Sequence, residues 1–253
     1  MKSFLLALQF LTIIPVRINR IYFREKKIGQ SMIYFPVVGL LLGLVLSGIN
    51  YLLSHLSSAQ LSIDIILIIL LVIFTGGIHL DGLSDTFDAI LSRKDRDEML
   101  KIMRDSHAGV MGILSIISVI LLKISLLYSI DARLKIVSLI LMCALSRWSL
   151  VFSVFLFPYA RQEGKAKIFT ENINSRIFIL ATLLTLFMAM AAWKIKGLLI
   201  FLTIALCAYI FGRFINKKID GITGDTLGAT NELIELIILL SVCALQRTGI
   251  WII

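Results

Sequence analysis

The strongest constraint on this chain is a series of long apolar runs separated by shorter polar connections. An α-helix needs about 20 predominantly apolar residues to cross the hydrocarbon core of a bilayer. The runs predict seven membrane-spanning helices, at 33–53, 61–80, 110–128, 136–157, 177–193, 198–211 and 233–245. The apolar fraction of 58% also exceeds the roughly 45–50% of soluble domains. The sequence therefore predicts an all-α, polytopic transmembrane bundle.

A shorter apolar segment, 4–16, precedes the first span. It resembles a signal peptide, but no small-residue cleavage site follows it, and we expect it to be retained. At about 1.5 Å per residue it is too short for a core of roughly 30 Å. An interfacial or re-entrant helix is therefore predicted here. No linker or low-complexity tract divides the chain, so residues 1–253 are expected to form a single membrane domain.

The basic residues sort by connection, and this pattern predicts the topology. Four basic groups, at 17–27, 93–104, 161–167 and 213–218, fall on the same side as the N-terminus. The opposite connections contain few Lys or Arg residues, so the positive-inside rule places the N-terminus and the long loops in the cytoplasm. The net charge of +9 is thus explained by a cell (inner) membrane location, with the lipid bilayer as partner. No nucleic-acid partner is expected, and a homo-oligomer is compatible with the sequence.

The first acidic cluster lies directly after the second predicted span. If this segment is helical, spacings of four and seven residues place Asp81, Asp85 and Asp88 on one face. Three like charges close to hydrocarbon repel one another, and a divalent cation would compensate them. Ordinary charges at a solvated helix end are the alternative, but they do not explain a single stripe of acids beside three glycines.

A second acidic cluster lies near the C-terminus. Asp225, Glu232 and Glu235 also share a face if the segment is helical. Glu232 and Glu235 could instead be charges that complement the dipole at the start of the last span. Asp225 is not explained in that way.

Arginine and histidine residues accompany the acids. Arg147 interrupts the fourth span and Arg161 follows it, and a guanidinium group binds carboxylate or phosphate in a fork. Arg161 could alternatively anchor the chain at the interface. His79 and His107 are candidate ligands, bases or polar interface residues. Two acidic stripes with arginines at one membrane face suggest Mg²⁺-assisted phosphoryl transfer.

Several ordered motifs carry a resemblance over most of the chain. They are the segments 10–16, 35–43, 76–86, 102–106, 146–147, 158–161 and 223–235. With these motifs the sequence resembles the adenosylcobinamide-GDP ribazoletransferase, or cobalamin synthase, family. The resemblance implies a membrane enzyme late in cobalamin biosynthesis. Such an enzyme joins adenosylcobinamide-GDP to α-ribazole or α-ribazole 5′-phosphate, releases GMP and requires Mg²⁺.

The resemblance and the acidic pattern together assign candidate roles. The expected metal ligands are Asp81, Asp85, Asp225 and Glu232. The expected phosphate-binding residues are Arg104, Arg147 and Arg161. The candidates for catalytic roles are Asp88, His79 and Asp105, and the identity of the general base stays open.

Two departures from the family pattern and two alternatives accompany this interpretation. The family usually has glycine at the position of Asp220, and the segment 164–167 replaces a glycine-rich sequence. A CDP-alcohol or prenyl transferase would share acid-rich metal chemistry with a lipid acceptor, although its paired-Asp spacing differs. An ion-coupled transporter also places acids and arginines in the membrane, although near the midplane.

Overall fold

The computed structural model describes residues 2–15, 25–56 and 59–247, and these residues are almost entirely helical. The helices are α1 (Lys2–Leu11), α2 (Glu25–Ser31), α3 (Phe35–Leu56), α4 (Gln60–Thr75), α5 (Ile78–Leu91), α6 (Arg96–Ile102), α7 (Val110–Ser129), α8 (Lys135–Leu156), α9 (Lys167–Asn172), α10 (Ser175–Ile219) and α11 (Gly224–Gln246). Within these ranges, β pairing is limited to one bridge between Tyr159 and Ile222. The predicted all-α class is confirmed.

In the described ranges, five helical segments are long and apolar enough to cross a membrane, or six if the bent pair of α4 and α5 forms one span. The chain is therefore a multi-pass membrane protein. Its helices depart from the seven predicted spans at two places, which are the α4–α5 corner and the middle of α10.

The corner between α4 and α5 turns the chain by 89°. Gly76 and Gly77 both have positive φ, at 65° and 70°, a conformation that costs glycine little and other residues much more. The predicted span 61–80 therefore ends at Thr75, and its last three residues begin α5. Hydropathy alone did not mark this corner, because apolar residues continue on both sides of the glycine pair.

α10 contains both the fifth and the sixth predicted spans. Its backbone is non-helical at Trp193 and Lys194. A Cβ on Gly197 would overlap the carbonyl of Ala189, although eight residues of straight helix would separate these positions by about 12 Å. The chain therefore folds back at this break, which separates the predicted segments 177–193 and 198–211.

The core is organised around α8, which packs against α3, α10 and α11. Sixteen of its residues are buried. α5 lies against α7 and α11 at one end of the bundle. This arrangement brings the acidic motifs of α5 and α11 together.

α1 is short, as predicted, and it ends beside the α4–α5 corner. The N–H of Ile13 donates to the carbonyl of Phe74 over 2.9 Å, just before the bend. Its interfacial or re-entrant placement stays a prediction. Val16 and most of the first basic group, 17–24, lie outside the described residues.

Candidate active site

The first acidic cluster lies on one face of a regular helix, as predicted. Asp81 is exposed at the start of α5, while Asp85 and Asp88 are half-buried. The carboxylate of Asp88 accepts hydrogen bonds from the N–H groups of Gly109 (2.7 Å) and Gly112 (2.8 Å). Asp88 thus satisfies otherwise unpaired donors at the start of α7 and holds that helix against α5.

The start of α11 places Asp225 beside this acidic face. The Thr223 hydroxyl accepts a hydrogen bond from the N–H of Thr226 and caps the helix. A Cβ on Gly82 would lie 2.6 Å from the Asp225 carbonyl oxygen, so the two backbones touch. The charges of Asp81, Asp225 and Asp88 all act on Asp85.

The loop after α8 pairs with the segment that leads into α11. The N–H of Ala160 donates to the carbonyl of Ile222 over 2.9 Å, and the N–H of Ile222 donates to the carbonyl of Pro158 over 2.8 Å. These bonds explain why two motifs far apart in the sequence belong to one site. The residues that follow each strand of the bridge, Arg161 and Asp225, are brought together.

Arg161 supplies the positive charge of the cluster. Its guanidinium donates to the Asp225 carboxylate over 2.6 Å, and its charge also acts on Asp85. Its Nε is buried and has no hydrogen-bond partner among the described residues. Burial raises the pKa of Tyr159, which also interacts with Arg161. One guanidinium N–H of Arg161 is therefore not used by the described residues.

Arg96, which the sequence analysis did not single out, forms hydrogen bonds to both segments that meet at this bridge. Its guanidinium donates to the carbonyls of Ile219 (3.1 Å) and Ala160 (3.0 Å). It also pairs with Asp220 over 3.1 Å. Asp220 has a φ of +56°, the left-handed conformation that favours glycine, so the backbone here suits the glycine that the resemblance leads us to expect.

A cavity of about 320 Å³ opens beside Asp81, Arg161 and Asp225. These three residues form part of its polar lining. Its apolar lining includes Phe10, Phe35, Leu150, Val154, Phe169 and Leu227. Gly164 and Lys165, from the segment that departs from the family pattern, also line it. The site is thus a cleft whose lining combines charged side chains with aromatic ones.

The second predicted acidic cluster is divided between two places. Glu232 and Glu235 lie two and three turns after Asp225, where Lys123 pairs with both; its Nζ is 2.6 Å from Glu232. Arg147 is fully buried and also pairs with Glu235. The structure therefore places the predicted metal ligand Glu232 and the predicted phosphate ligand Arg147 in a buried ion-pair network, apart from Asp225 and Arg161.

Lys123 is the member of this network that the sequence analysis missed. A lone lysine within the predicted span 110–128 was the available signal, because an ionisable residue inside a membrane segment usually has a partner. A second pair of this kind, between Asp64 and Lys135 at 2.6 Å, links α4 to α8.

His79 lies between the cavity and the buried network. It is buried and lines the cavity, and it is within electrostatic reach of Arg147 and Glu235. Its Nε2 has no hydrogen-bond partner among the described residues. One ring nitrogen of a histidine that lines the cleft is thus not used by the described residues.

Asp105 and Arg104 lie on the exposed connection between α6 and α7. His107 donates to the Asp105 carboxylate from its backbone N–H (3.0 Å), and its ring Nδ1 lies 2.7 Å away. These bonds lower the pKa of Asp105. Arg104 is within electrostatic reach of Tyr159, so it faces the same end of the bundle as Arg161.

The donor chemistry of the cluster suits a hard divalent cation. Carboxylate oxygens are the ligands that Mg²⁺ prefers. Asp81, Asp85 and Asp225 supply such oxygens, and the charges of Asp81 and Asp225 both act on Asp85. In the described part of the chain, no three His, Cys, Asp or Glu side chains are already positioned to hold a metal ion. The carboxylates would therefore have to close around a cation as it binds.

The matching family model and the similar named proteins indicate the same family. The family model described as cobalamin-5-phosphate synthase matches residues 3–243. Two relatives named adenosylcobinamide-GDP ribazoletransferase come from Fusobacterium nucleatum and Caldanaerobacter subterraneus. The first is 39% identical over 94% of this chain and 95% of its own length, and the second is 38% identical over 94% and 96%. A third, from Alkaliphilus metalliredigens, is 33% identical over 99% of this chain and 98% of its own length. No solved structure gives a significant match. By family model and by relatives that align over nearly the whole length, this chain belongs to the cobalamin-5-phosphate synthase family.

Proposed function

We propose that this enzyme transfers the adenosylcobinamide-phosphate group from adenosylcobinamide-GDP to α-ribazole or α-ribazole 5′-phosphate. The products are adenosylcobalamin or its 5′-phosphate, together with GMP. The observation that carries this proposal is the Arg161–Asp225 pair, which lies beside the acidic face of α5 and lines a cavity. Family membership and the names of the relatives support the same reaction.

The reaction exchanges one bond to phosphorus for another, and the protein would assist it in two ways. The ribazole hydroxyl oxygen forms a new bond to the phosphorus attached to cobinamide, and the bond from that phosphorus to the GMP oxygen breaks. Arg161, which lines the cavity, would hold the diphosphate through its guanidinium, with Arg104 contributing positive charge from the neighbouring connection. A carboxylate of the cluster would accept the hydroxyl proton.

We further propose that Mg²⁺ binds Asp81, Asp85 and Asp225. The mutual repulsion of these carboxylates and their position beside the cavity support this set. When bound, the ion would neutralise the diphosphate and stabilise the departing GMP. Glu232 is not in our set because its carboxylate is paired with Lys123. Asp88 is also not in our set, because its carboxylate accepts hydrogen bonds from the N–H groups of Gly109 and Gly112 at the start of α7.

The active site is proposed to face the cytoplasm in the cell membrane. Arg96 joins α6 to the loop after α8 and to the end of α10, so three of the four basic groups converge at the end of the bundle that carries the site. The positive-inside rule assigns such an end to the cytoplasm. A cysteine-accessibility measurement on Lys101→Cys in intact cells and in inverted vesicles tests this assignment. Labelling of intact cells by an impermeant reagent would contradict it.

The decisive experiment measures GMP release from adenosylcobinamide-GDP and α-ribazole by the purified protein, with and without Mg²⁺. Asp81→Asn should abolish Mg²⁺-dependent release. Asp131→Asn is the matched control, because Asp131 is an exposed acid in the connection between α7 and α8. Absence of GMP release by well-folded wild-type protein would overturn the proposed reaction and redirect attention to a lipid acceptor.

A further inference from the structure

Resting on the proposed function, we propose that the aromatic part of the cavity lining is the binding site for the benzimidazole base of α-ribazole. We call this part the aromatic wall, and define it as Phe10, Phe35 and Phe169. The wall determines which nucleoside is accepted, whereas the charged residues of the same lining hold the phosphate groups. The two parts together orient the acceptor for attack.

The aromatic wall is assembled from three helices that are distant in the sequence. Phe10 comes from α1, Phe35 from the start of α3 and Phe169 from α9. The Phe10 and Phe169 ring centroids are 4.6 Å apart, and those of Phe10 and Phe35 are 5.8 Å apart. Phe35 and Phe169 are buried, while Phe10 is half-buried. All three residues line the cavity and provide aromatic surface against which a flat base can pack.

The polarity of the cavity favours α-ribazole over the other substrate. α-Ribazole is a nucleoside of dimethylbenzimidazole, an aromatic base without exocyclic hydrogen-bonding groups. Guanine has a polar edge whose donors and acceptors need partners when buried. Among the side chains that line the cavity, the aromatic wall, Leu150, Val154 and Leu227 offer none.

The size of the cavity supports the same assignment. Its volume of about 320 Å³ is at the lower end of the roughly 300–1,000 Å³ of small-molecule sites. It has room for a nucleoside but not for a corrinoid macrocycle with its amide side chains. With the base against Phe10, the ribose would stay in the cavity that Asp81 and Asp225 also line, and the attacking hydroxyl is needed beside these acids.

The test is the affinity of the purified full-length protein for α-ribazole, measured by calorimetry for wild type, Phe10→Leu and Phe10→Tyr. Loss of the ring in Phe10→Leu should weaken binding by about 10-fold or more, whereas Phe10→Tyr should stay close to wild type. Phe178→Leu is the matched control, because Phe178 stacks on Phe155 with centroids 4.2 Å apart and does not line this cavity. It should bind α-ribazole as wild type does.

A second measurement needs no variant and protects the test against misfolding of Phe10→Leu. Wild-type protein should bind α-ribazole at least about 10-fold more tightly than the riboside of imidazole, which lacks the fused benzene ring. Equal binding of the two nucleosides would overturn the assignment. So would a Phe10→Leu enzyme with unchanged affinity for α-ribazole, or one whose KM rises for adenosylcobinamide-GDP instead.

The two proposals fail in different ways. If wild-type protein binds α-ribazole through Phe10 but releases no GMP from adenosylcobinamide-GDP, the proposed reaction fails and the nucleoside site stands. If GMP is released but binding does not depend on Phe10 or on the fused ring, the reaction stands and the base site is wrong.

Discussion

The guanidinium of Arg161 donates a 2.6 Å hydrogen bond to the carboxylate of Asp225, and this bond joins the loop after α8 to the first turn of α11. The two residues are 64 positions apart in the sequence. Both side chains are partly accessible, at 10% and 22%. The pair is therefore open to a ligand that competes for the arginine.

The first prediction concerns the shape of the Arg161 side chain. Arg161→Lys keeps the charge but loses the planar fork, so kcat/KM should fall by about 100-fold, the order of magnitude seen when one electrostatic donor is removed. Arg213→Lys is the control, because Arg213 is exposed and donates to Tyr209. Steady-state kinetics of both variants check the prediction, and equal loss in the two would contradict it.

The buried ion-pair network predicts a large stability effect. Lys123→Met should lower the free energy of unfolding by about 3–5 kcal/mol, because Glu232 loses its partner inside the bundle. Adding Glu232→Gln should restore part of the loss, since the unpaired charge is then removed. Lys94→Met breaks an exposed pair with Glu98 and should change stability little. Denaturant unfolding in detergent would refute the network's role if Lys123→Met were as stable as wild type.

The contact between α5 and α11 predicts a specific glycine effect. Gly82→Ala places a methyl group 2.6 Å from the Asp225 carbonyl oxygen, so the helices must separate and activity should fall by at least about 10-fold. Gly48→Ala is the matched control, because nothing lies within 4 Å of its added Cβ. That variant should be as active as wild type and up to about 1 kcal/mol more stable, as expected for alanine in a helix. Comparable activity in the two variants would argue against close packing at Gly82.

Arg96 is predicted to be a positioning residue. Arg96→Met removes the bonds to Ile219 and Ala160 that hold the bridge in place, so kcat should fall by about 10- to 100-fold. Arg96→Lys should recover part of the activity, because one of the two bonds can be reformed. Arg133→Met, at an exposed arginine between α7 and α8, should have normal kinetics. A normal kcat in Arg96→Met would show that the bridge does not need this brace.

The helical class and the acidic stripe of α5 could be predicted because both depend on local order. Runs of apolar residues report membrane helices, and acids at spacings of four and seven must share a face once the segment is helical. The α4–α5 corner was harder to predict from the sequence, because consecutive glycines occur both in turns and in packed membrane helices. Its effect on the span boundary appeared only in the folded chain.

The candidate site was predictable residue by residue but not as a set. The sequence by itself determined the membrane class, the resemblance and the supply of acids and arginines at one end of the bundle. Only the tertiary structure decided that Arg161 meets Asp225, whereas Arg147 meets Glu235 and Lys123 neutralises Glu232. The physical reason is that helical periodicity specifies which residues share a face, while the packing of helices distant along the chain decides which faces, and therefore which charges, meet.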